Sequence, residues 1–287
     1  VGDRTIIVHG KWLRIASVQD EELVQGEVVD NPEKFIAALR NGAVKADLFT
    51  FAQRISATEQ EYPYQFEWDN VAAASTERFA DWWDSLPQES RKNVRRAAKR
   101  GLAVRIAQFD DEFIKGIQGI YNETPVRQGR RFWHYQKDLE TVKMENQTYL
   151  ERSQFIGAYY NEELIGFTKF VYVDRLARIL QIVSKTSHSD KRPMNALIAK
   201  AVEVCQDNKI SYLIYSKFSF GNKKVSPLAE FKSRNGFKQK DFIRYYVPLT
   251  VRGKIALKLK LHRGLLGILP AGLINFLLKL RSWFFAR

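Results

Sequence analysis

Apolar positions recur along this chain with spacings that divide most of it into short strands and amphipathic helices. Residues 5–15 carry Ile6, Val8, Trp12, Leu13 and Ile15 at strand spacing and predict one or two short strands. Asp30, Asn31 and Pro32 read as a helix start, with Phe35, Ile36 and Leu39 on one face and Asn41-Gly42 at the end. Residues 46–54 alternate as a strand, and Tyr62-Pro63-Tyr64 opens another that runs through Trp68, Val71 and Ala73. A short helix at 79–83 precedes a capped, basic helix at 90–100, which Gly101 stops. A strand at 102–106 and a helix at 110–122, with Phe113, Ile117 and Ile120 on its apolar side, follow. Asn122-Glu123-Thr124-Pro125 breaks that helix, and residues 133–150 predict another.

Three strands at hairpin spacing come next, residues 154–160, 164–173 and 178–184. A loop at 186–192 leads into Pro193 and a helix to residue 207. A strand at 211–216, a short helix at 227–235 ended by Gly236, and a last strand at 241–248 complete the pattern. This order predicts a mixed α/β architecture whose third meander strand runs parallel to the strand after the long helix. A splay between those two strands opens a groove at a helix N-terminus, the end that favours anions.

Composition narrows the picture. The 287 residues suffice for two lobes, and 45% hydrophobic with 27% charged residues excludes a disordered chain. The single Cys205, among Ala201, Val202 and Val204, reads as a buried thiol in a reducing compartment. The four histidines are scattered without metal-ligand spacing, so no metal or redox cofactor is expected. A net charge of +14 suits nucleic acid, anionic lipid or a polyphosphate ligand. Eight basic residues fall in 251–287, a stretch with no acid. Its uncharged run, 264–278, is shorter than a spanning helix and is broken by Pro270, and Trp283, Phe284 and Phe285 follow it. The expectation is two short helices lying in the interface of an anionic membrane. No signal-peptide pattern opens the chain, so the expected location is cytoplasmic, peripheral at the inner face of the membrane.

Three strings fall in order on this pattern. They are Ser90-Arg91-Lys92-Asn93-Val94-Arg95-Arg96-Ala97-Ala98-Lys99-Arg100-Gly101-Leu102-Ala103-Val104, then Tyr121-Asn122-Glu123-Thr124-Pro125-Val126-Arg127-Gln128-Gly129, then Leu228-Ala229-Glu230-Phe231-Lys232-Ser233-Arg234-Asn235-Gly236-Phe237. Together with the order of elements they resemble the GNAT acyltransferase superfamily, in its Fem-like branch. The resemblance implies an α/β GNAT-like fold, with residues 1–84 a degenerate N-terminal lobe, 85–250 the acyltransferase lobe and 251–287 the basic membrane-surface tail. It also implies an acyltransferase that moves an acyl group from acyl-CoA to an amine or hydroxyl of an envelope-related acceptor, a saccharide or a lipid-linked sugar. Aminoacyl-tRNA is the alternative donor, and a non-catalytic membrane-associated binding module is the alternative role.

The family's glycine-rich turn, which holds the CoA pyrophosphate, is replaced here by His188-Ser189-Asp190-Lys191-Arg192-Pro193-Met194-Asn195. Lys191, Arg192 and Asn195 are therefore the candidate donor-binding residues. By the resemblance, Lys232 is the cation for a phosphate or a developing oxyanion. Arg127, near Arg130 and Arg131, reads as a phosphate or carboxylate clamp or as a surface loop residue. Tyr215 and Lys217 read as lining the acceptor side. Tyr245 and Tyr246 alternate across the last strand, and Tyr246 is the candidate catalytic hydroxyl. His134 reads as a general base or as a histidine packed beside Trp133 and Tyr135. His188-Ser189-Asp190 cannot form a catalytic triad, because three adjacent residues lack that geometry. The basic helix at 91–100 suits an RNA backbone, an acidic lipid or a solvated face.

Overall fold

The structure is a computed structural model and describes residues 4–24, 29–42, 44–55, 57, 59–127, 129–219 and 226–264. Its elements are β1 (Ile6–His9), β2 (Ile15–Val18), α1 (Glu21–Val24), α2 (Pro32–Asn41), β3 (Leu48–Ala52), β4 (Gln65–Ser75), α3 (Phe79–Ser85), α4 (Gln88–Lys99), β5 (Ala103–Ala107), α5 (Asp111–Tyr121), β6 (Val126–Arg127), β7 (Arg130–Arg131), α6 (Leu139–Asn146), β8 (Ser153–Tyr160), β9 (Glu163–Val173), β10 (Leu176–Ser184), α7 (Pro193–Asp207), β11 (Tyr212–Ile214), α8 (Pro227–Arg234), β12 (Lys238–Pro248) and α9 (Val251–Lys258). They gather into two compact units. Among the described residues the first holds 4–71, 219 and 239–264, and the second holds 72–218 and 226–238.

In the first unit, β1, β2, β3 and β12 are successive neighbours in the sheet. β2 and β3 run parallel, and β3 pairs antiparallel with β12, Phe51 opposite Tyr245. All five residues of β3 are buried because both faces of the strand are covered. On one face Phe35, Ile36 and Leu39 of α2 pack on Phe49, Phe51, Tyr245 and Val247. Asn31 caps α2 by accepting from the Lys34 amide at 3.2 Å. On the other face Leu13 and Leu48 meet Ala256 and Leu257 of α9. That helix docks at backbone distance, since a Cβ on Gly253 would lie 1.9 Å from the Asp47 carbonyl oxygen. Thr250 caps it, accepting from the Gly253 amide and donating to Asp47 Oδ1, both at 3.0 Å. Arg244 is held, partly buried, between Asp69 (Nε–Oδ2 3.0 Å) and Glu21 (Nη1–Oε2 3.1 Å). Burial works against its charge, but the two carboxylates outweigh it and raise its pKa.

In the second unit the sheet runs from the last residues of β4 through β11, β10, β9 and β8 to β5. β8, β9 and β10 form the antiparallel meander, with a bulge at Leu180. β10 and β11 run parallel, as the order of elements predicts. α7 buries Leu197, Ile198, Ala201, Val202 and Cys205 against Ile156, Ile165, Phe170 and Phe237. On the opposite face α5 packs Phe113, Ile117 and Tyr121 on Phe155, Leu164 and Phe167.

One predicted helix is shorter than expected. Asp138 accepts from the Thr141 amide at 2.8 Å and starts α6 at Leu139, which leaves Trp133, His134 and Tyr135 in the turns before it. Of the basic tail, α9 and the turn to Gly264 are described. Residues 265–287, with Pro270 and the aromatic exit, lie outside the described residues. No described helix is long and apolar enough to cross a membrane.

Candidate functional site

β11 pairs with β10 only along Leu176, Ala177 and Arg178, while β10 continues to Ser184. Past that point a groove of ≈ 590 Å³ opens, lined by Ser90, Ser184, Arg192, Asn195, Arg234 and Asn235 among others. β10 and β11 part as the order of elements predicts, and the groove lies at the end of β10 beside the N-terminus of α7. Arg192 adopts φ 56, Pro193 follows at the first helical position, and no side chain caps α7. The amides of its first turn are thus left without a side-chain partner, the arrangement that receives anions. Asn195 Nδ2 donates to Asn235 Oδ1 at 2.8 Å, and Asn235 Nδ2 donates to the Phe231 carbonyl at 2.7 Å, which ties α7 to α8. Lys191 is not among the lining residues. Its Nζ lies 4.0 Å above the Tyr160 ring and 3.6 Å from the Asp190 carboxylate.

A second cluster forms just past the carboxyl end of β11. Lys232 of α8 is 0% exposed; its Nζ donates to the Lys217 carbonyl at 2.6 Å and lies 4.7 Å from the Tyr215 ring centroid. Burial, aided by the charge of Arg178, brings the Lys232 pKa down from 10.5 to about 8. Burial pushes the Tyr215 hydroxyl up to about 12, so at neutral pH it can donate a proton but not accept one. Three predicted residues thus meet, Lys232 and Tyr215 by side chain and Lys217 by its carbonyl, and none of the three lines the groove.

Arg127 is engaged by the protein itself. Its Nη1 donates to the Ser184 carbonyl and its Nη2 to the Ile120 carbonyl, each at 2.8 Å, and Nη2 lies 3.3 Å from Glu123. The guanidinium thereby holds the last residue of β10, a wall of the groove. Glu123 in turn accepts from the Ser187 amide (2.8 Å) and hydroxyl (2.6 Å) and from the Thr186 amide (2.7 Å) and hydroxyl (2.9 Å). Partial burial works to raise the Glu123 pKa, but these hydrogen bonds outweigh it and hold it at about 2, below the ordinary 4.5. Its folded pKa is depressed, so the stability it contributes is present above 4.5 and is lost as pH falls toward 2. Glu123→Gln is expected to cost about 1–3 kcal/mol at pH 7. Thermal melts of both proteins should converge between pH 4.5 and 2; a gap that stays constant over that range would contradict this assignment.

His134 lies in a network with α5 and β10 and does not line the groove. It stacks on Tyr121 at 4.1 Å, its Nε2 is 3.1 Å from Gln181 Nε2, and its Nδ1 is 3.5 Å from Glu145. Burial and the nearby Lys137 charge lower its pKa from 6.5 to about 4, so the ring is neutral at physiological pH and a weak base. Tyr246 belongs to the first unit. Its ring lies 4.5 Å from that of His262, and burial pushes its hydroxyl up to about 12. Tyr245, on the other face of β12, is fully buried in the same unit, where its hydroxyl accepts from the Glu61 amide at 3.0 Å.

Several residues of consequence escape a reading of the sequence. Arg234 and Asn235, inside the third string, Ser90, at the start of the first, and Ser184 line the groove, and the sequence marks none of them out from its neighbours. Lys169 of β9 is buried, donates to the Asn146 carbonyl at 2.7 Å and to Thr148, and is lowered by burial to about 8. A lysine inside the apolar run from Ile165 to Val173 is the signal that marks it. Among the described residues no group of three His, Cys, Asp or Glu could hold a metal ion.

No family model matches the chain, and no curated protein matches it. Solved structures do. FemX superposes with a TM-score of 0.61 at 12% identity, over 88% of this chain and 85% of that one. The C-terminal domain assigned to a lysylphosphatidylglycerol synthetase from Agrobacterium fabrum gives 0.60 at 13%, over 90% and 84%. L-PGS from Bacillus licheniformis gives 0.56 at 15%, over 91% and 86%. The chain shares the fold of these three structures.

Proposed function

We propose that this protein is an acyltransferase that moves an acyl group from acyl-CoA to an amine or hydroxyl of an envelope-related acceptor, a saccharide or a lipid-linked sugar. The observation that carries the reading is the groove at the uncapped N-terminus of α7, reached by the end of β10 and lined by Arg192, Asn195 and Asn235. There the first-turn amides and Arg192 would hold the donor's pyrophosphate, and Asn195 with Asn235 would fix its neighbouring polar groups. The acceptor nitrogen or oxygen attacks the thioester carbonyl carbon. A C–N or C–O bond forms, the C–S bond breaks, and the acceptor's proton passes to the departing sulfur. Lys232 as a cation would stabilise the negative charge that develops on the carbonyl oxygen, with Tyr215 and Lys217 on the acceptor side. Arg127 acts as a positioning residue through Ser184 and not as a substrate clamp. One structural neighbour is assigned to a lysylphosphatidylglycerol synthetase, named for a membrane lipid, which supports an envelope-related acceptor. Residues 251–287 would hold the enzyme in the cytoplasm at the anionic inner face of the membrane.

One observation favours aminoacyl-tRNA as an alternative donor. Lys92, Arg95 and Lys99 are exposed along one face of α4, at the spacing that tracks a phosphate backbone. Calorimetric titration separates the readings. Acetyl-CoA, longer acyl-CoAs and free CoA are expected to bind the wild type in the micromolar range and Arg192→Ala at least tenfold more weakly. Binding of aminoacyl-tRNA alone, falling steeply with salt, would install the second donor. Binding of neither would leave the non-catalytic module.

A further inference from the structure

We propose that the outward face of α9, together with Trp12, is a lipid-docking surface that seats the first unit on an anionic bilayer. This rests on the membrane placement proposed above and names the surface that achieves it. α9 has two unlike sides. Its inward side is made of Gly253, Ala256 and Leu257, all buried against the sheet. Its outward side should be polar in a helix that only packs on its own core. Instead Val251, Ile255 and Leu259 follow one another at i, i+4 and i+8 and are 73%, 55% and 60% exposed. They form a single apolar stripe at helical spacing.

The flanks of the stripe identify its occupant. At 100° per residue, Arg252 falls on one side of the stripe and Lys254 and Lys258 on the other, and all three are exposed. Lys260 follows, also exposed, and residues 251–264 contain no acid, while Arg263 is paired with Glu67 (Nε–Oε1 2.9 Å). Trp12 is 60% exposed and carries the Arg252 guanidinium 4.9 Å from its ring centroid. The neighbouring Leu13 is buried with Ala256 and Leu257, so the indole is held beside the helix. An apolar ridge between two rows of cations, with an indole at its edge, matches lipid phosphates around acyl chains. A second copy of this chain would bring the same cations onto one another across a twofold axis, which opposes pairing.

The test uses the full chain and unilamellar vesicles, either phosphatidylcholine alone or an equimolar mixture with phosphatidylglycerol. The wild type is expected to float with the mixed vesicles at least tenfold more strongly than with phosphatidylcholine, and less at high salt. Ile255→Glu combined with Leu259→Glu is expected to lose at least tenfold in partition with an unchanged melting temperature, since both side chains are exposed. Cys205 is the only cysteine and is buried, so Ile255→Cys accepts a single polarity-sensitive fluorophore. Its emission should shift to the blue with mixed vesicles, whereas a label at Glu140→Cys should not. If the double variant floats like the wild type, residues 265–287 alone carry the binding; this inference falls and the membrane placement stands. If the wild type does not float, both fall. If the double variant changes oligomeric size and not partition, the stripe belongs to a second copy and the inference is overturned.

Discussion

Lys232→Met is expected to lower the rate of acyl transfer by about 10²–10³-fold, the usual cost of removing one group that stabilises an oxyanion. Methionine keeps the volume and the apolar stem, so the site does not collapse into a cavity. The fold should tolerate it. A buried ammonium with a pKa near 8 is a charge the native state holds against desolvation, and its removal offsets the hydrogen bond lost to the Lys217 carbonyl. The melting temperature is therefore expected to move by only a few degrees, which separates a chemical defect from a folding one. The pH profile adds a second readout. If the cation is the active form, wild-type rate falls about tenfold per pH unit above about 8, and the residual rate of Lys232→Met lacks that limb. An unchanged rate in a folded Lys232→Met would remove the lysine from the chemistry.

Gly236→Ala is the substitution expected to cost the most stability, about 2–4 kcal/mol, from two sources. The backbone there has φ +81, which a side chain resists. A Cβ would also lie 2.4 Å from Trp82 Nε1 and 3.0 Å from Leu86 Cδ2. Trp82 Nε1 donates to the Asn235 carbonyl at 3.2 Å, so the indole cannot retreat without breaking that bond. Because Asn235 lines the groove, donor affinity should fall together with the melting temperature. A variant that melts like the wild type would show that α8 can end in another conformation.

This glycine shows what the sequence could disclose. It stands in the string Leu228 to Phe237, and the structure supplies its physical reason, a left-handed backbone under an indole. Local chemistry was legible in the same way. Asn31 caps α2, Pro193 starts α7, and the alternation of Ile165, Phe167 and their neighbours marks the meander, because each rests on nearest neighbours in the chain. Partners far apart in sequence were not. Arg127 reads as a free fork until the Ile120 and Ser184 carbonyls, which no residue name reveals, occupy it. Lys191 and Arg192 look equivalent in print, yet the φ of 56 at Arg192 leaves one side chain on Tyr160 and the other in the groove. Asn235 becomes a site residue only once the fold sets it against Asn195, 40 positions away.

The path of the chain through the first unit bears on how the protein is made. β3 lies between β2 and β12, and the part of β12 that pairs with β3, Arg244–Pro248, is translated after all the described residues of the second unit. On a ribosome, the first 71 residues wait while residues 72–238 are synthesised, roughly 10–30 s at ~5–20 residues per second. Throughout that interval β3, buried at every position in the finished protein, has one open edge, and Phe51 lacks the Tyr245 ring that stacks on it at 5.0 Å. The nascent chain needs shielding from its neighbours for that long, and a chain truncated before Arg244 would leave the same edge open permanently.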